Sequence, residues 1–80
     1  MLKNKQMVRF GAFPYEREVI VRASGLVEKH FADGRDWTEY PCLYDDYSVG
    51  YDRPEVFSKK EKRFIASKLK QLKESNINAF

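Results

Sequence analysis

The side chains best suited to nucleophilic, acid–base or metal chemistry are few in this sequence. His30 is the single histidine and Cys42 the single cysteine. With the nearby aspartates they could form a mononuclear metal site, but their spacing matches no standard ligand pattern. Cys42 would act as a nucleophile only with a lowered thiol pKa, so we expect it to be a small, buried, apolar residue. The sequence therefore predicts no metal site and no cofactor.

The adjacent carboxylates Asp45 and Asp46 are a second place where chemistry might be sought. Neighbouring residues of a strand point to opposite faces, which would keep the two groups from working as a general acid and base. We expect a solvated pair in a loop instead. The four glycines are isolated along the chain, so they form no phosphate-binding loop. Because no set of residues matches a catalytic pattern, we expect that the protein is not an enzyme.

A cluster of large amphipathic rings in the middle of the chain is the more informative feature. Tyr and Trp dominate protein–protein contact sites, and this cluster exceeds what a small core needs. Half of the rings could still close the core. The carboxylates between them would repel phosphates, which argues against base stacking. We interpret the cluster as an acidic-aromatic protein-binding surface made of Trp37, Tyr40, Tyr44, Asp45, Asp46, Tyr47 and Tyr51.

The C-terminal stretch 57–75 has the pattern of a basic amphipathic helix. Ser58 and Glu61 have the spacing of a capping box. Neither glycine nor proline interrupts the stretch, and Ser75-Asn76 is a plausible end. Apolar residues recur at i, i+4 and i+7 and so share one face: Ile65, Leu69 and Leu72.

One flank of this helix is strongly basic. It could be a solvated face that balances an acidic region elsewhere, and we favour this simpler interpretation. It could also bind a phosphate backbone or an acidic partner. The net charge is only +3, and the ends of the chain are basic while the segment 32–56 is acidic, which weakens the nucleic-acid interpretation. The candidate nucleic-acid-binding residues are Lys59, Lys62, Arg63, Lys70 and Lys73.

The segment 16–32 is ambiguous between strand and helix. The β-branched run 19–21 favours a strand, and Asp33-Gly34 is typical of a type I′ hairpin. An i+4 repeat of apolar residues favours a helix, which would give a β-α-β-α arrangement. We predict a strand. The helical repeat consists of Val19, Ala23, Val27 and Phe31.

Three further strands are expected from alternation of apolar and polar residues. They are predicted at 6–13, at 36–40 before Pro41, and at 43–51. The simplest assembly is an α+β fold, in which a small antiparallel sheet of three or four strands packs against the C-terminal helix. We expect a single domain over residues 1–80, with residues 1–5 and 76–80 frayed.

Composition narrows the classes of function. A single cysteine suits a reducing compartment, and no stretch resembles a signal peptide or a membrane span, so we expect a cytoplasmic protein. Its size and lack of motifs suit a small inhibitor or accessory protein of the kind that mobile elements and bacteriophages encode. We therefore expect a non-catalytic protein-interaction module. The alternatives are a nucleic-acid-binding protein that uses the basic helix and a self-associating subunit, such as a homodimer.

Overall fold

The protein is an α+β fold with one four-stranded antiparallel sheet, a two-stranded hairpin and a C-terminal helix. The structure, a computed structural model, describes residues 5–11 and 16–78, and for residues 5–7, 10 and 76–78 it describes the backbone alone. The predicted fold class is confirmed. The sheet has the order β1-β2-β3-β4, with strands β1 (Lys5–Phe10), β2 (Arg17–Arg22), β3 (Val27–Phe31) and β4 (Asp36–Glu39). The remaining elements are β5 (Cys42–Leu43), β6 (Val49–Gly50), a 3-10 turn (Pro54–Val56) and α1 (Lys59–Asn78).

The ambiguous segment 16–32 forms strands, so the helical alternative is wrong. Three consecutive β-branched residues favour the pleated backbone of β2, where their restricted side chains pack well. Val21 lies opposite Val27 in the register, and Val19 lies opposite Lys29. Gly25 adopts a φ of 91° between β2 and β3, a conformation that glycine tolerates and that would have interrupted a helix.

The β2–β3 loop and the β3–β4 loop share one geometry. Each has three residues and ends on a glycine in the left-handed region, Gly25 or Gly34, with φ near 90°. The Gly34 N–H donates to the carbonyl of Phe31 at 3.0 Å, and the Phe31 N–H donates to Arg35 O at 2.9 Å. The predicted type I′ turn is wrong, because that turn needs a positive φ at Asp33 as well. The loop instead combines a tight turn with one left-handed residue.

The predicted strand over 43–51 is also wrong, since the chain reverses there to form the β5–β6 hairpin. The Tyr44 N–H donates to Ser48 O, and the Tyr47 N–H donates to Tyr44 O, both at 2.9 Å. Asp46 accepts the Ser48 N–H at 3.0 Å, which stabilises the turn in competition with an extended strand. The alternation of apolar residues therefore spans a loop and not a single strand.

The bounds of β1 and α1 differ from those predicted. Strand β1 runs from Lys5 to Phe10, and the predicted residues 12 and 13 lie outside the described residues. Helix α1 continues to Asn78, past the predicted end at Ser75-Asn76. The predicted frayed ends, 1–5 and 76–80, fall partly outside the described residues.

Helix α1 packs against one face of the sheet and forms the core with it. The predicted periodic face of the helix meets the valines of β2 and β3. Leu72 packs at the margin of this cluster, together with Trp37 and Tyr51, which are half-buried. The buried apolar residues of the cluster are Val19, Val21, Val27, Phe57, Ile65 and Leu69.

A buried network of charges fixes the start of α1 on the sheet. Glu61 is fully buried, and its carboxylate accepts from Lys29 Nζ at 2.8 Å and Arg17 Nε at 2.9 Å. It also accepts the Ser58 N–H at 2.7 Å, while Ser58 Oγ accepts the Glu61 N–H at 3.2 Å, so the predicted capping box is present. Burial alone would raise the pKa of Glu61, but the bonds from Lys29, Ser58 and Arg17 outweigh it and lower this pKa. The network therefore anchors the first turn of α1 to β2 and β3.

Candidate binding surface

The predicted aromatic cluster divides into exposed and half-buried rings. Tyr40, Tyr44 and Tyr47 are exposed by 68%, 52% and 47%, respectively. Trp37 and Tyr51 pack against the core instead. Only the first three rings are therefore widely accessible to a partner.

Trp37 and Tyr51 make contacts that stabilise the fold. Trp37 Nε1 donates to Glu39 at 2.9 Å, and Glu39 also accepts the Asp52 N–H at 2.6 Å, so one buried carboxylate ties the loop after β6 to β4. The Tyr51 hydroxyl donates to the carbonyl of Lys62 at 3.4 Å. Burial, with a smaller contribution from the charge of Glu39, raises the pKa of Tyr51 to about 12, so the hydroxyl remains a donor at neutral pH.

The exposed tyrosines of the β5–β6 hairpin are held in defined positions. Tyr47 is the third residue of a three-residue loop and has a φ of 66°, the left-handed conformation that Gly25 adopts in the β2–β3 loop and Gly34 in the β3–β4 loop. Tyr44 lies over Gly50, since a Cβ added to that glycine would come within 2.7 Å of the Tyr44 Oη.

The two adjacent carboxylates lie in this loop, as expected. Asp46 serves the turn itself, because it accepts from both the N–H and the hydroxyl of Ser48, and these bonds lower its pKa. Asp45 is fully exposed at the tip and lies 3.8 Å from Lys73 Nζ. Of the two carboxylates predicted for this surface, Asp46 therefore stabilises the turn and Asp45 lies near a cation of α1.

The basic flank of α1 lies directly beside the hairpin, so the two predicted surfaces form one. The ammonium groups of Lys70 and Lys73 lie 5.0 and 5.2 Å from the centre of the Tyr47 ring. The Lys62 ammonium lies 5.6 Å from the centre of the Tyr51 ring. These distances are those of cation–π contacts, which hold the hairpin against the helix.

An open groove of about 380 Å³ runs between the hairpin and the first turns of α1. Tyr47, Tyr51 and Val49 contribute its hairpin side, and three cations contribute its helix side: Lys59, Lys62 and Arg63. Among the described residues these three cations have no ion-pair partner, and no carboxylate lines the groove. We refer to this feature as the cationic groove.

The remaining chemical candidates lie elsewhere. His30 lies on the sheet face away from α1, with Nδ1 at 2.6 Å from Asp36 and Nε2 at 3.4 Å from Glu28. The hydrogen bond with Asp36 is the main cause that raises the pKa of His30. Cys42 is exposed, so the expected buried position is wrong. Alternation in the short strand β5 directs Leu43 towards the core and Cys42 away from it.

Within the described residues, no group of three His, Cys, Asp or Glu side chains could hold a metal ion. No helix there is long and apolar enough to cross a membrane. Searches against protein families, curated proteins and solved structures found no match to this chain.

Proposed function

We propose that the protein is a small non-catalytic module that binds a partner protein through the exposed tyrosines of the β5–β6 region. In this proposal it acts in the cytoplasm, as an inhibitor or accessory protein of a mobile element or bacteriophage, by occupying a surface of its partner. The contact residues are Tyr40, Tyr44 and Tyr47, with Asp45 at the tip of the hairpin. Trp37, Tyr51 and Asp46 support this surface from below.

The conformation of Tyr47 is the observation that carries the proposal. A left-handed backbone costs a bulky L-residue roughly 1–2 kcal/mol, and the two sister loops avoid that cost with glycine. The ring at Tyr47 remains about half exposed, so burial in the core does not explain a tyrosine there. Strain of this kind is concentrated at functional sites, where it is retained for what the side chain does.

The chemistry of the three rings fits protein recognition. Each tyrosine offers a large apolar area and one polar tip at a low cost in conformational entropy. Tyr44 is positioned over Gly50 and Tyr47 is held by its backbone and by two lysines, so part of the ordering cost is met before binding. Preorganised aromatic residues are typical hot spots of interfaces.

A capture experiment with matched variants tests the proposal. Tagged protein is incubated with host-cell lysate, with and without nuclease, and bound proteins are identified by mass spectrometry. We expect one stoichiometric protein that survives nuclease and is lost with Tyr44→Ala and with Tyr47→Gly. Thr38→Ala, on the opposite face of the sheet, is the control. No captured protein, or capture that is indifferent to both tyrosine variants, would refute the proposal.

Nucleic-acid binding is a second candidate, and the cationic groove favours it. Affinity would then fall steeply with salt, because bound cations release condensed counterions. Lys62→Glu and Lys70→Glu would each weaken the binding. Affinity for an oligonucleotide that is absent or insensitive to salt would eliminate this candidate.

A self-associating subunit, such as a homodimer, is the third candidate, because a short chain gains core by pairing with a second copy. Among the described strands, β1 and β4 each have one unpaired edge that could receive a strand. Sedimentation at micromolar concentration measures the mass directly, and a monomer would count against this candidate.

A further inference from the structure

We propose that the cationic groove binds an extended acidic segment of the partner protein, with carboxylate side chains at alternate positions. The inference rests on the proposed function, since it specifies the chemistry of the partner. It takes up the acidic partner that the basic flank of α1 allows, in place of contact through the carboxylates of the hairpin. The carboxylates of the hairpin are already engaged by Ser48 and Lys73, whereas the cations of the groove are free of ion pairs among the described residues.

The charge of the groove selects for an anion. Lys59, Lys62 and Arg63 line one wall, and the lining contains no carboxylate among the described residues. Like charges in a concave site reinforce one another and attract a segment of opposite sign. The guanidinium of Arg63 can bind a carboxylate with two parallel hydrogen bonds, and the lysines act as mobile point charges.

The spacing of the cations suits an extended peptide. Lys59 and Arg63 are one helical turn apart, so their Cα atoms are separated by about 6 Å along the axis. Alternate side chains of an extended strand recur at about 6.8 Å on one face. Glutamates or aspartates at positions i and i+2 can therefore reach both cations, while Lys62 lies between them.

The aromatic side of the groove favours a peptide over a nucleic acid. The ammonium groups of Lys70 and Lys73 make cation–π contacts with the ring of Tyr47. The ammonium group of Lys62 makes the same kind of contact with the ring of Tyr51. These contacts compete with base stacking, which supplies much of the affinity for single strands.

Fluorescence anisotropy with the full chain tests the inference. The probe is a short fluorescein-labelled peptide in which glutamate alternates with serine, and the matched probe has glutamine in place of glutamate. We expect the glutamate peptide to bind about tenfold or more tightly than the glutamine peptide, because charge-assisted hydrogen bonds are lost in the latter. Equal binding of the two peptides, or no binding of the glutamate peptide, would overturn the inference.

Variants locate the binding to the groove. The double variant Lys62→Glu/Arg63→Glu should no longer bind the glutamate peptide. If charge reversal disturbs folding, the neutral double variant Lys62→Gln/Arg63→Gln takes its place, and it should bind the peptide more weakly than the wild type. The single variants Lys62→Glu and Lys60→Glu make the same change of charge, but Lys60 is exposed outside the groove, so Lys62→Glu should weaken binding and Lys60→Glu should retain it. Loss of binding in the Lys60 variant to the same extent would reduce the effect to net charge and overturn the inference.

Two further results separate the possible failures. An oligothymidylate that binds more tightly than the glutamate peptide, through Lys62 and Arg63, would assign the groove to nucleic acid. Capture of the lysate partner that depends on Tyr44 and Tyr47 but is unaffected by the Lys62/Arg63 variants would leave the proposed function standing and refute the acidic segment.

Discussion

Tyr47 occupies in the β5–β6 hairpin the loop position that Gly34 occupies in the β3–β4 hairpin. Both residues end a three-residue loop, both donate their N–H to the carbonyl three residues earlier, and both have a positive φ, 66° and 90°. Glycine has no Cβ to clash in this conformation, and tyrosine does. The protein therefore keeps a tyrosine where its own other loops show that glycine serves the fold.

Substitutions at Gly34 and Tyr47 should have unequal effects on the free energy of unfolding. Gly34→Ala should lower the free energy of unfolding by about 1–2 kcal/mol. The added Cβ meets open space, so the whole cost comes from holding alanine in the left-handed conformation. Tyr47→Gly should change it by less than about 1 kcal/mol, since relief of strain offsets the lost contacts with Lys70 and Lys73. Urea unfolding measures both. A large loss in Tyr47→Gly would show that the ring serves the fold and not a partner.

The buried Glu61 should be more important to stability than any residue of the binding surface. Glu61→Leu would leave Lys29, only 4% exposed, without its carboxylate, at a cost of about 3–5 kcal/mol. That is most of the stability expected for so small a domain. The double variant Lys29→Met/Glu61→Leu should recover a large part of the lost free energy of unfolding, because Lys29 is removed together with its buried partner Glu61. Additive losses in a double-mutant cycle would contradict this coupling.

Stability should decline as pH rises through the pKa of His30. Its folded pKa is raised above the ordinary 6.5, mainly by the hydrogen bond with Asp36, so protonation favours the folded state. This contribution is complete below the unfolded pKa and is lost as pH rises through the folded value. Urea unfolding midpoints measured from pH 5 to pH 9 should therefore decrease as the pH rises through the folded pKa of His30. The midpoints of His30→Asn should vary less with pH. An NMR titration of the ring that gives a lowered pKa would contradict the assignment.

Gly50→Ala should displace Tyr44 without removing it. The new Cβ would come within 2.7 Å of the Tyr44 hydroxyl, but that ring is exposed and can swing away. We expect a stability change of no more than about 0.5 kcal/mol, as for other surface substitutions, and weaker capture of the partner. If Tyr44→Ala loses the partner and Gly50→Ala keeps it, the position of the ring over Gly50 does not matter for binding.

Local signals in the sequence predict the helix and the strands of the main sheet. Ser58 and Glu61 lie at the spacing of a capping box, and the structure has both of its hydrogen bonds. The β-branched run 19–21 predicts a strand despite the competing helical repeat, because burial on a pleated surface favours such residues. These features depend on neighbours within a few positions along the chain.

The sequence does not indicate the β5–β6 hairpin, because its loop lacks the usual glycine signal of a turn. A glycine at position 47 would have indicated a turn, whereas tyrosine completes a convincing alternation with Val49 and Tyr51. Asp46, two residues before Ser48, was the available clue, since an aspartate side chain often accepts the N–H two residues on. The presence of tyrosine in place of glycine conceals the turn in the sequence. The same tyrosine, in a strained left-handed conformation, is a candidate contact residue.

The division of the aromatic cluster depends on tertiary structure. Trp37 and Tyr51 pack against the core, whereas Tyr40, Tyr44 and Tyr47 remain exposed, although the ring of Tyr47 also contacts Lys70 and Lys73 of α1. The partners of Glu61 likewise come from β2 and β3, 44 and 32 residues away in sequence. No periodicity within one segment specifies such pairings, so they became visible only in the folded chain.

The most direct test of partner binding through the hairpin combines affinity and stability on the same preparations. The partner recovered by capture is titrated calorimetrically with wild-type protein and with Tyr47→Gly, and each protein is unfolded in urea. We predict an affinity about tenfold or more weaker for the variant, with an unfolding midpoint close to that of the wild type. An unchanged affinity would show that the strained tyrosine does not contact the partner.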